Sequence, residues 1–136
     1  MGMAQRLPAR EVNRITSVII DCSIRIHRTV GPGILEKAYF GCVCYELVSA
    51  GLKIQSQKEI PLLYRGVQID CAYRADLIVE ETLIVEVKAI DALAPIHSRQ
   101  LLTYLRLAHC PVGLLLNFGA PTMRQGIKRV VNNFME

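Results

Sequence analysis

The first fifty residues repeat apolar side chains at the spacing of an α-helix. Between Val12 and Val30 they recur three and four positions apart and so form one helical face, made of Ile15, Ile19, Cys22 and Ile26. The Gly31-Pro32-Gly33 segment ends this helix. A second stripe follows, which consists of Leu35, Tyr39, Val43 and Leu47. Gly51 is placed as a C-terminal stop, so the pattern predicts that two helices come first.

From residue 58 to residue 89 the chain is rich in β-branched and aromatic residues instead. Turn-forming interruptions occur at Arg65-Gly66 and at Glu80-Glu81-Thr82. This pattern predicts three strands joined by two hairpins.

The last third alternates again between helical and extended patterns. "IHSRQLLTYLRLAH" predicts a helix, "PVGLLLNF" a short strand, and "PTMRQGIKRVVNNF" a closing helix that begins at Pro121. A strand, a helix and a strand in succession favour a parallel crossover. The predicted fold class is therefore α/β, with a mixed β-sheet flanked by helices on both faces.

Length and composition narrow the class of protein. A chain of 136 residues suits a single domain, which we predict over residues 12–136, with residues 1–11 as a disordered tail. The apolar runs are too short to cross a bilayer and the first residues lack a signal-peptide pattern, so we expect a cytoplasmic protein without a membrane partner. Five cysteines without a C-x-x-C pair favour reduced thiols, and a net charge of +4 permits a polyanionic partner without requiring one.

Charged residues interrupt the two most apolar predicted strands. Side chains alternate along a strand, so Glu86 and Lys88 share one face, and Asp76 shares a face with Ile78. If residues 80–82 form the loop, the register that follows places Asp76 opposite Glu86. Directly opposed residues have Cβ atoms about 5 Å apart, and like charges there destabilise a sheet. Something must compensate for this repulsion.

Two kinds of compensation are open at this point. Lys88 could neutralise the pair, or one carboxyl could be protonated, as in structural ion clusters. Alternatively, a divalent cation could bind, and hard carboxylate oxygens suit Mg²⁺ or Mn²⁺. The burial cost of two carboxylates beside aliphatic strands favours the cation. The spacing of an Asp, nine residues, then Glu-x-Lys is by itself a weak signal.

Several segments together resemble a known family. The D-x(9)-E-x-K pattern, with two helices before it and a helix and a strand after it, resembles the PD-(D/E)XK nuclease superfamily. "GILEKAY" fits the signature of the GxxExxY protein family, a compact branch of that superfamily. The resemblance spans about Val12 to Asn132 and includes the segments "HRTVGPGILEKAY", "YRADLIVEETLIVEVKA", "PIHSRQLLTYL" and "GLLLNFG".

The resemblance implies a restriction-endonuclease-like core and metal-dependent hydrolysis of phosphodiesters. It assigns Asp76 as the central metal ligand, Glu86 as a second ligand and the carbonyl of Val87 as a third. Lys88 would orient the attacking water and stabilise charge. Glu36 matches a helical acid that some members use for a second metal or its waters. Ala75 stands where the superfamily often has a proline before the first Asp.

A helical pair adds candidates for substrate binding. Gln100 and Tyr104 are four residues apart, hence on one helix face, and resemble the Q-x-x-x-Y motif of RecB-like nucleases. They would hold a phosphate or the water network, and Gln100 also joins the catalytic set. His97 and Arg74 are weaker candidates for phosphate contact. The alternative for His97 is a role in capping the helix, and the alternative for Arg74 is a solvated position on the surface.

The leading hypothesis is a Mg²⁺- or Mn²⁺-dependent nuclease acting on nucleic acid, with DNA favoured over RNA. The alternative is a catalytically silent nuclease-fold module that binds nucleic acid or a protein partner. A domain of this size has little surface for a separate binding appendage, which favours a homodimer or a partner protein.

Overall fold

The computed structural model describes residues 7–70 and 73–135. In these residues the helices and strands follow in this order: α1 (Ala9–Val30), α2 (Glu36–Ser49), β1 (Ile54–Glu59), β2 (Leu62–Tyr64), β3 (Val67–Ile69), β4 (Arg74–Val79), β5 (Leu83–Lys88), α3 (Pro95–Ala108), β6 (Val112–Asn117), α4 (Met123–Gly126) and β7 (Ile127–Val131).

Five of the strands form one mixed sheet in the order β1-β4-β5-β6-β7. β5 and β6 run parallel and are connected through α3, whereas the other neighbours pair antiparallel. The predicted crossover and mixed sheet are therefore confirmed, and the architecture is that of a restriction-endonuclease-like fold.

The two faces of the sheet are covered by different helices. α1 and α2 pack on the face that carries Leu83, Val85 and Val87. α3 packs on the other face, against Ile84 and Leu115. All four predicted core residues of α1 are buried, and so are those of α2 except Leu35, which precedes the helix and is 78% exposed. The central strands β5 and β6 are thus buried on both faces, which explains why they are almost continuously apolar, whereas the edge strands β1 and β7 are mostly exposed.

The predicted closing helix is wrong. Only residues 123–126 are helical, and residues 127–131 form β7, the edge strand beside β6. Gly126, the last residue of this helix, lies so close to β6 that an added Cβ would be 2.1 Å from the carbonyl oxygen of Asn117. Three of the next five residues are β-branched, and such residues favour strands.

The prediction of three strands between residues 58 and 89 is also wrong in detail. The predicted turn at Arg65-Gly66 is present, but it joins β2 and β3, which form a separate two-stranded sheet. β1 begins at Ile54, earlier than predicted, and pairs with β4. Pro61 follows β1 and has no N–H to continue a ladder, so the extended segment is divided there.

Helix α1 is longer than predicted. It begins at Ala9, three residues before the predicted start, and has 22 residues. Residues 1–6 of the predicted tail, as well as Cys71, lie outside the described residues.

In the described parts of the chain, no helix combines the length and the apolar character that crossing a membrane requires.

The start of α2 is held by the tyrosine of the Gly33–Tyr39 motif. The Tyr39 ring is fully buried and stacks on Phe118, with centroids 4.6 Å apart and planes 9° from parallel. Its hydroxyl donates to the carbonyl of Gly31, in the turn between the two helices. His27 Nε2, at the end of α1, donates to the Ala120 carbonyl at 2.9 Å. These contacts fix Glu36, the first residue of α2, relative to the end of the sheet.

We predict opposite effects for two glycine-to-alanine substitutions. In Gly119→Ala the new Cβ would lie 2.2 Å from the carbonyl oxygen of Ile90, and backbone cannot move aside cheaply. The free energy of unfolding should fall by about 2 kcal/mol or more. In Gly41→Ala, within α2, no atom lies within 4 Å of the new Cβ, and the free energy should rise by about 0.5–1 kcal/mol. Urea unfolding measures both, and a stable Gly119→Ala protein would contradict the tight packing.

Candidate active site

The candidate site begins where β4 and β5 stop pairing. Val79 pairs with Leu83, and the ladder continues to Leu77 and Val85, which confirms the predicted register. Beyond that pair, side chains replace the backbone ladder. The Asp76 N–H donates to Glu86 Oε2 at 2.7 Å, and the Val87 N–H donates to Asp76 Oδ2 at 2.8 Å. Each acid is thus held by the backbone of the opposite strand.

The alternation of faces along β4 breaks at Asp76. Ala75 packs with the residues on the α3 side of the sheet, whereas Leu77 packs on the α1 and α2 side. Asp76 lines a cavity of about 330 Å³ together with Glu36 of α2 and Val87 of β5. The prediction that Asp76 shares a face with Ile78 is therefore wrong, because Ile78 packs on the α3 side.

Burial makes ionisation of the two acids costly. Glu86 is 5% exposed, and burial raises its pKa from 4.5 to about 7, with a further contribution from the charge of Asp76. Burial likewise raises the pKa of Asp76, although the hydrogen bond from the Val87 N–H opposes this. The charge of Asp76 therefore raises the pKa of Glu86, as the expected repulsion requires.

Lys88 lies near the two acids without forming a direct ion pair with either. The Lys88 charge lowers the pKa of both Asp76 and Glu86. The ion pairs within 4.0 Å among the described residues are Arg14–Glu11, Arg25–Glu46 and Arg74–Glu59. Neutralisation by direct contact with Lys88 is therefore not what holds the acids together.

The donor set fits a hard divalent cation. In a strand the N–H and C=O of one residue point to the same edge, so the Val87 carbonyl faces Asp76 as its N–H does. Among the described residues, Asp76 Oδ1 and Glu86 Oε1 accept no protein hydrogen bond. Two carboxylate oxygens and a carbonyl oxygen are ligands that Mg²⁺ and Mn²⁺ prefer.

Glu36 is close to this set but does not complete a cluster with it. Glu36 lines the same cavity as Asp76, and its charge is the smallest named contribution to the raised pKa of both acids. In the described part of the chain no three His, Cys, Asp or Glu side chains approach closely enough to hold one metal ion. The position of Glu36 therefore suits a contact through water better than direct ligation.

The predicted helical pair lies on the other side of the acids. Gln100 Nε2 donates to the Tyr104 hydroxyl at 3.1 Å. Tyr104 is 5% exposed; burial raises the pKa of its hydroxyl first, and the charges of Glu86 and Asp76 raise it further. Gln100 is exposed. The pair therefore lies on the α3 side of the sheet, with Tyr104 within electrostatic range of Glu86 and Gln100 at the surface.

The two weaker candidates have structural partners. His97 Nδ1 accepts a hydrogen bond from the Ala94 N–H at 2.9 Å and caps the start of α3. The exposed Arg74 lies 3.7 Å from Glu59 on β1, two residues before Asp76. The structure supports a capping role for His97. Arg74 is the first residue of β4, two positions before Asp76.

Three further residues line the cavity that contains Asp76, and no motif in the sequence marks them. They are Lys37, Phe40 and Gln57. Lys37 occupies a variable position within the Gly33–Tyr39 motif, Phe40 directly follows that motif, and Gln57 lies in β1. Only the pairing of β1 with β4 brings Gln57 to Asp76, so a local pattern could not have found it.

Comparison with known families decides the class. The sequence model of the PD-(D/E)XK nuclease superfamily matches residues 13–130, which is most of the chain. The chain belongs to the PD-(D/E)XK nuclease superfamily. No curated protein and no solved structure gave a significant match. The superfamily match includes Asp76, Glu86 and Lys88, and the narrower GxxExxY branch remains a prediction.

The raised pKa of Glu86 in this PD-(D/E)XK domain predicts an unusual pH dependence of stability. In the metal-free protein, folded Glu86 binds a proton up to pH about 7, whereas the unfolded side chain releases it near 4.5. The folded state therefore holds more protons between these values, and the free energy of unfolding should fall as pH rises through this window. The loss is up to about 3.5 kcal/mol, at about 1.4 kcal/mol per pKa unit.

Urea unfolding in EDTA between pH 4.5 and 8 measures this effect. Glu86→Gln should remove most of the decrease, because the amide does not titrate. Glu81→Gln, in the exposed turn after β4, should keep it. Equal slopes for wild type and Glu86→Gln would contradict the assignment.

Proposed function

We propose that this protein is a Mg²⁺- or Mn²⁺-dependent nuclease that hydrolyses phosphodiester bonds of nucleic acid, with DNA as the preferred substrate. Membership of the PD-(D/E)XK superfamily supports nuclease activity. The observation that carries the metal dependence is the buried pair of acids, each held by the opposite strand at the point where β4 and β5 separate. A purely structural role would not require two like charges in this position.

The residues suggest a division of roles around the cation. Asp76, Glu86 and the Val87 carbonyl would hold a divalent ion, which when bound supplies Lewis-acid activation of the phosphate. Lys88 lies on the strand two residues beyond Glu86 and makes no ion pair with the acids, so its ammonium is available to the substrate or the attacking water. Positive charge placed there stabilises the charge that develops in the transition state.

Other residues would position the substrate and the water. One cavity, called the α2 cavity below, is lined by Glu36, Lys37, Phe40, Gln57, Asp76 and Val87. Glu36 in this cavity suits hydrogen bonds to water beside the cation. The hydrogen-bonded Gln100 and Tyr104 on the α3 side present an amide and a hydroxyl near Glu86, where a phosphate oxygen could accept from them. Arg74 would add a backbone phosphate contact at the start of β4.

The first test is whether a divalent cation stabilises the folded protein. Mn²⁺ or Mg²⁺ should raise Tm. At a cation concentration a hundredfold above Kd, the free energy of unfolding should increase by about 2.7 kcal/mol. Asp76→Asn should remove this increment, although its amide oxygen can still accept from the Val87 N–H. Asp21→Asn, on the exposed side of α1, serves as the matched control and should respond like wild type. A wild-type Tm that ignores millimolar Mn²⁺ would count against the metal site.

The second test separates cation binding from catalysis. Lys88→Ala removes an ammonium beside two acids, so the affinity for Mn²⁺ should persist or increase. Cleavage should nevertheless decrease by about a hundredfold or more, because a charge that acts in the transition state is lost. Glu86→Gln should lose both Mn²⁺ binding and cleavage. Calorimetric titration and a panel of labelled DNA and RNA substrates measure the two properties.

Lys53→Ala, at the residue that directly precedes β1, provides the control for removal of an exposed lysine. Cleavage by Lys88→Ala at the wild-type rate, in preparations where Asp76→Asn is inactive, would refute the assigned role. Substrate binding by the wild type without any cleavage would instead support a catalytically silent module.

A further inference from the structure

Gln57 lies opposite Asp76 at a local distortion of the sheet. The backbone of β1 pairs with β4 on both sides of this position, at Ser56–Leu77 and at Lys58–Ala75, but the Gln57–Asp76 pair between them is missing. The φ angle of Gln57 is 52°, in the left-handed region that side-chain-bearing residues seldom adopt. The distortion coincides with the residue whose side chain departs from the alternation of β4.

This conformation distinguishes Gln57 from the other left-handed residues in the described ranges. The other non-glycine residues with positive φ lie in turns or at the end of a segment: Arg65, Glu80, Glu81, His109 and Asn133. Gln57 adopts it inside a strand. At four other left-handed positions the chain uses glycine, which avoids the steric cost. A strained backbone at an exposed glutamine, where glycine would avoid the strain, favours a functional role for the glutamine side chain.

The chemistry around Gln57 indicates what that use is. The α2 cavity is lined by two residues that would hold the cation, Asp76 and Val87, and by Glu36, which suits a contact with water beside it. The remaining lining residues are Lys37, Phe40 and Gln57, which supply an ammonium, an apolar ring and an amide. Glutamine amides and lysine ammonium groups commonly donate to phosphate oxygens of nucleic acids. Cation ligands and phosphate donors thus meet in one cavity large enough for part of a nucleotide.

We propose that Gln57 is a further substrate-contacting residue, whose side-chain amide donates a hydrogen bond to the phosphodiester backbone of a strand bound in the α2 cavity. The left-handed backbone of β1 places this amide beside Asp76. The proposal rests on the proposed nuclease function and adds to it the surface that holds the strand, between α2 and the β1 edge of the sheet.

The test uses two glutamines of the same strand. Gln57→Gly removes the amide but relieves the left-handed strain, so Tm should rise while kcat/KM on a labelled DNA duplex with Mn²⁺ falls about tenfold, mainly through KM. Gln55→Gly, two residues earlier in regular extended backbone, should lower Tm and leave kcat/KM unchanged. Gln57→Asn keeps an amide on a residue type that tolerates the left-handed region, and its kcat/KM should lie between wild type and Gln57→Gly.

The salt dependence provides a second readout. Gln57→Gly should weaken binding equally at all salt concentrations, because no charge is removed. Lys37→Ala should lower the slope of log affinity against log salt by about one, as the loss of one phosphate contact predicts. A change of slope in Gln57→Gly would contradict a neutral hydrogen bond.

The outcomes separate this proposal from the nuclease proposal. Wild-type kcat/KM in Gln57→Gly with a raised Tm would show that only the backbone distortion matters, and a fall of both Tm and activity would show a structural role; either overturns the contact. If the wild type cleaves nothing, the nuclease proposal fails, and affinity for the same duplex in Ca²⁺ then decides. Tenfold weaker binding by Gln57→Gly would support the contact, whereas unchanged binding, or no binding by the wild type, would overturn it.

Discussion

The reciprocal hydrogen bonds between Asp76 and Glu86 and the strands that face them are the interaction on which the site depends. Each carboxylate accepts from a backbone N–H that has lost its ladder partner where β4 and β5 diverge. A buried N–H without a partner would be costly, and a buried carboxylate without a donor would be more so. The unpaired N–H groups donate to the buried carboxylates, so both groups gain a partner. These hydrogen bonds fix both acids without a further side chain.

This arrangement leaves an excess of negative charge that the protein alone does not neutralise. Burial raises the pKa of both acids, and Lys88 is near enough to influence them but does not form an ion pair with either. In the metal-free site Glu86 therefore retains its proton to a higher pH than an ordinary glutamate does. A cation would take the place of that proton, so affinity for the metal should decrease as the solution is acidified. The burial of this charge lowers the stability of the metal-free protein locally.

The surrounding fold keeps this strained pair in place. The apolar faces of β5 and β6 pack against α1 and α2 on one side and α3 on the other. Tyr39, stacked on Phe118 and bonded to Gly31, joins the start of α2 to the end of β6. Glu36 therefore projects from a well-anchored position, although it is itself exposed. In the Gly33–Tyr39 motif, Tyr39 therefore acts through packing, and Glu36 lines the cavity that contains Asp76.

The sequence by itself determined the helices α1 and α2, the parallel crossover through α3, and the turn that sets Asp76 near Glu86. These features depend on local periodicity and on one short turn, and both are visible in a single stretch of chain. The sequence pattern predicts a helix at the end of the chain, where the structure has β7. Residues 127–131 become a strand only by pairing with β6, and β-propensity depends on such context. The break of alternation at Asp76 and the approach of Gln57 required the tertiary structure, because they arise from the pairing of β1 with β4 across about twenty residues. A sequence pattern can place a residue on a strand, but only the assembled sheet decides where that strand is distorted and which distant side chain enters the resulting cavity.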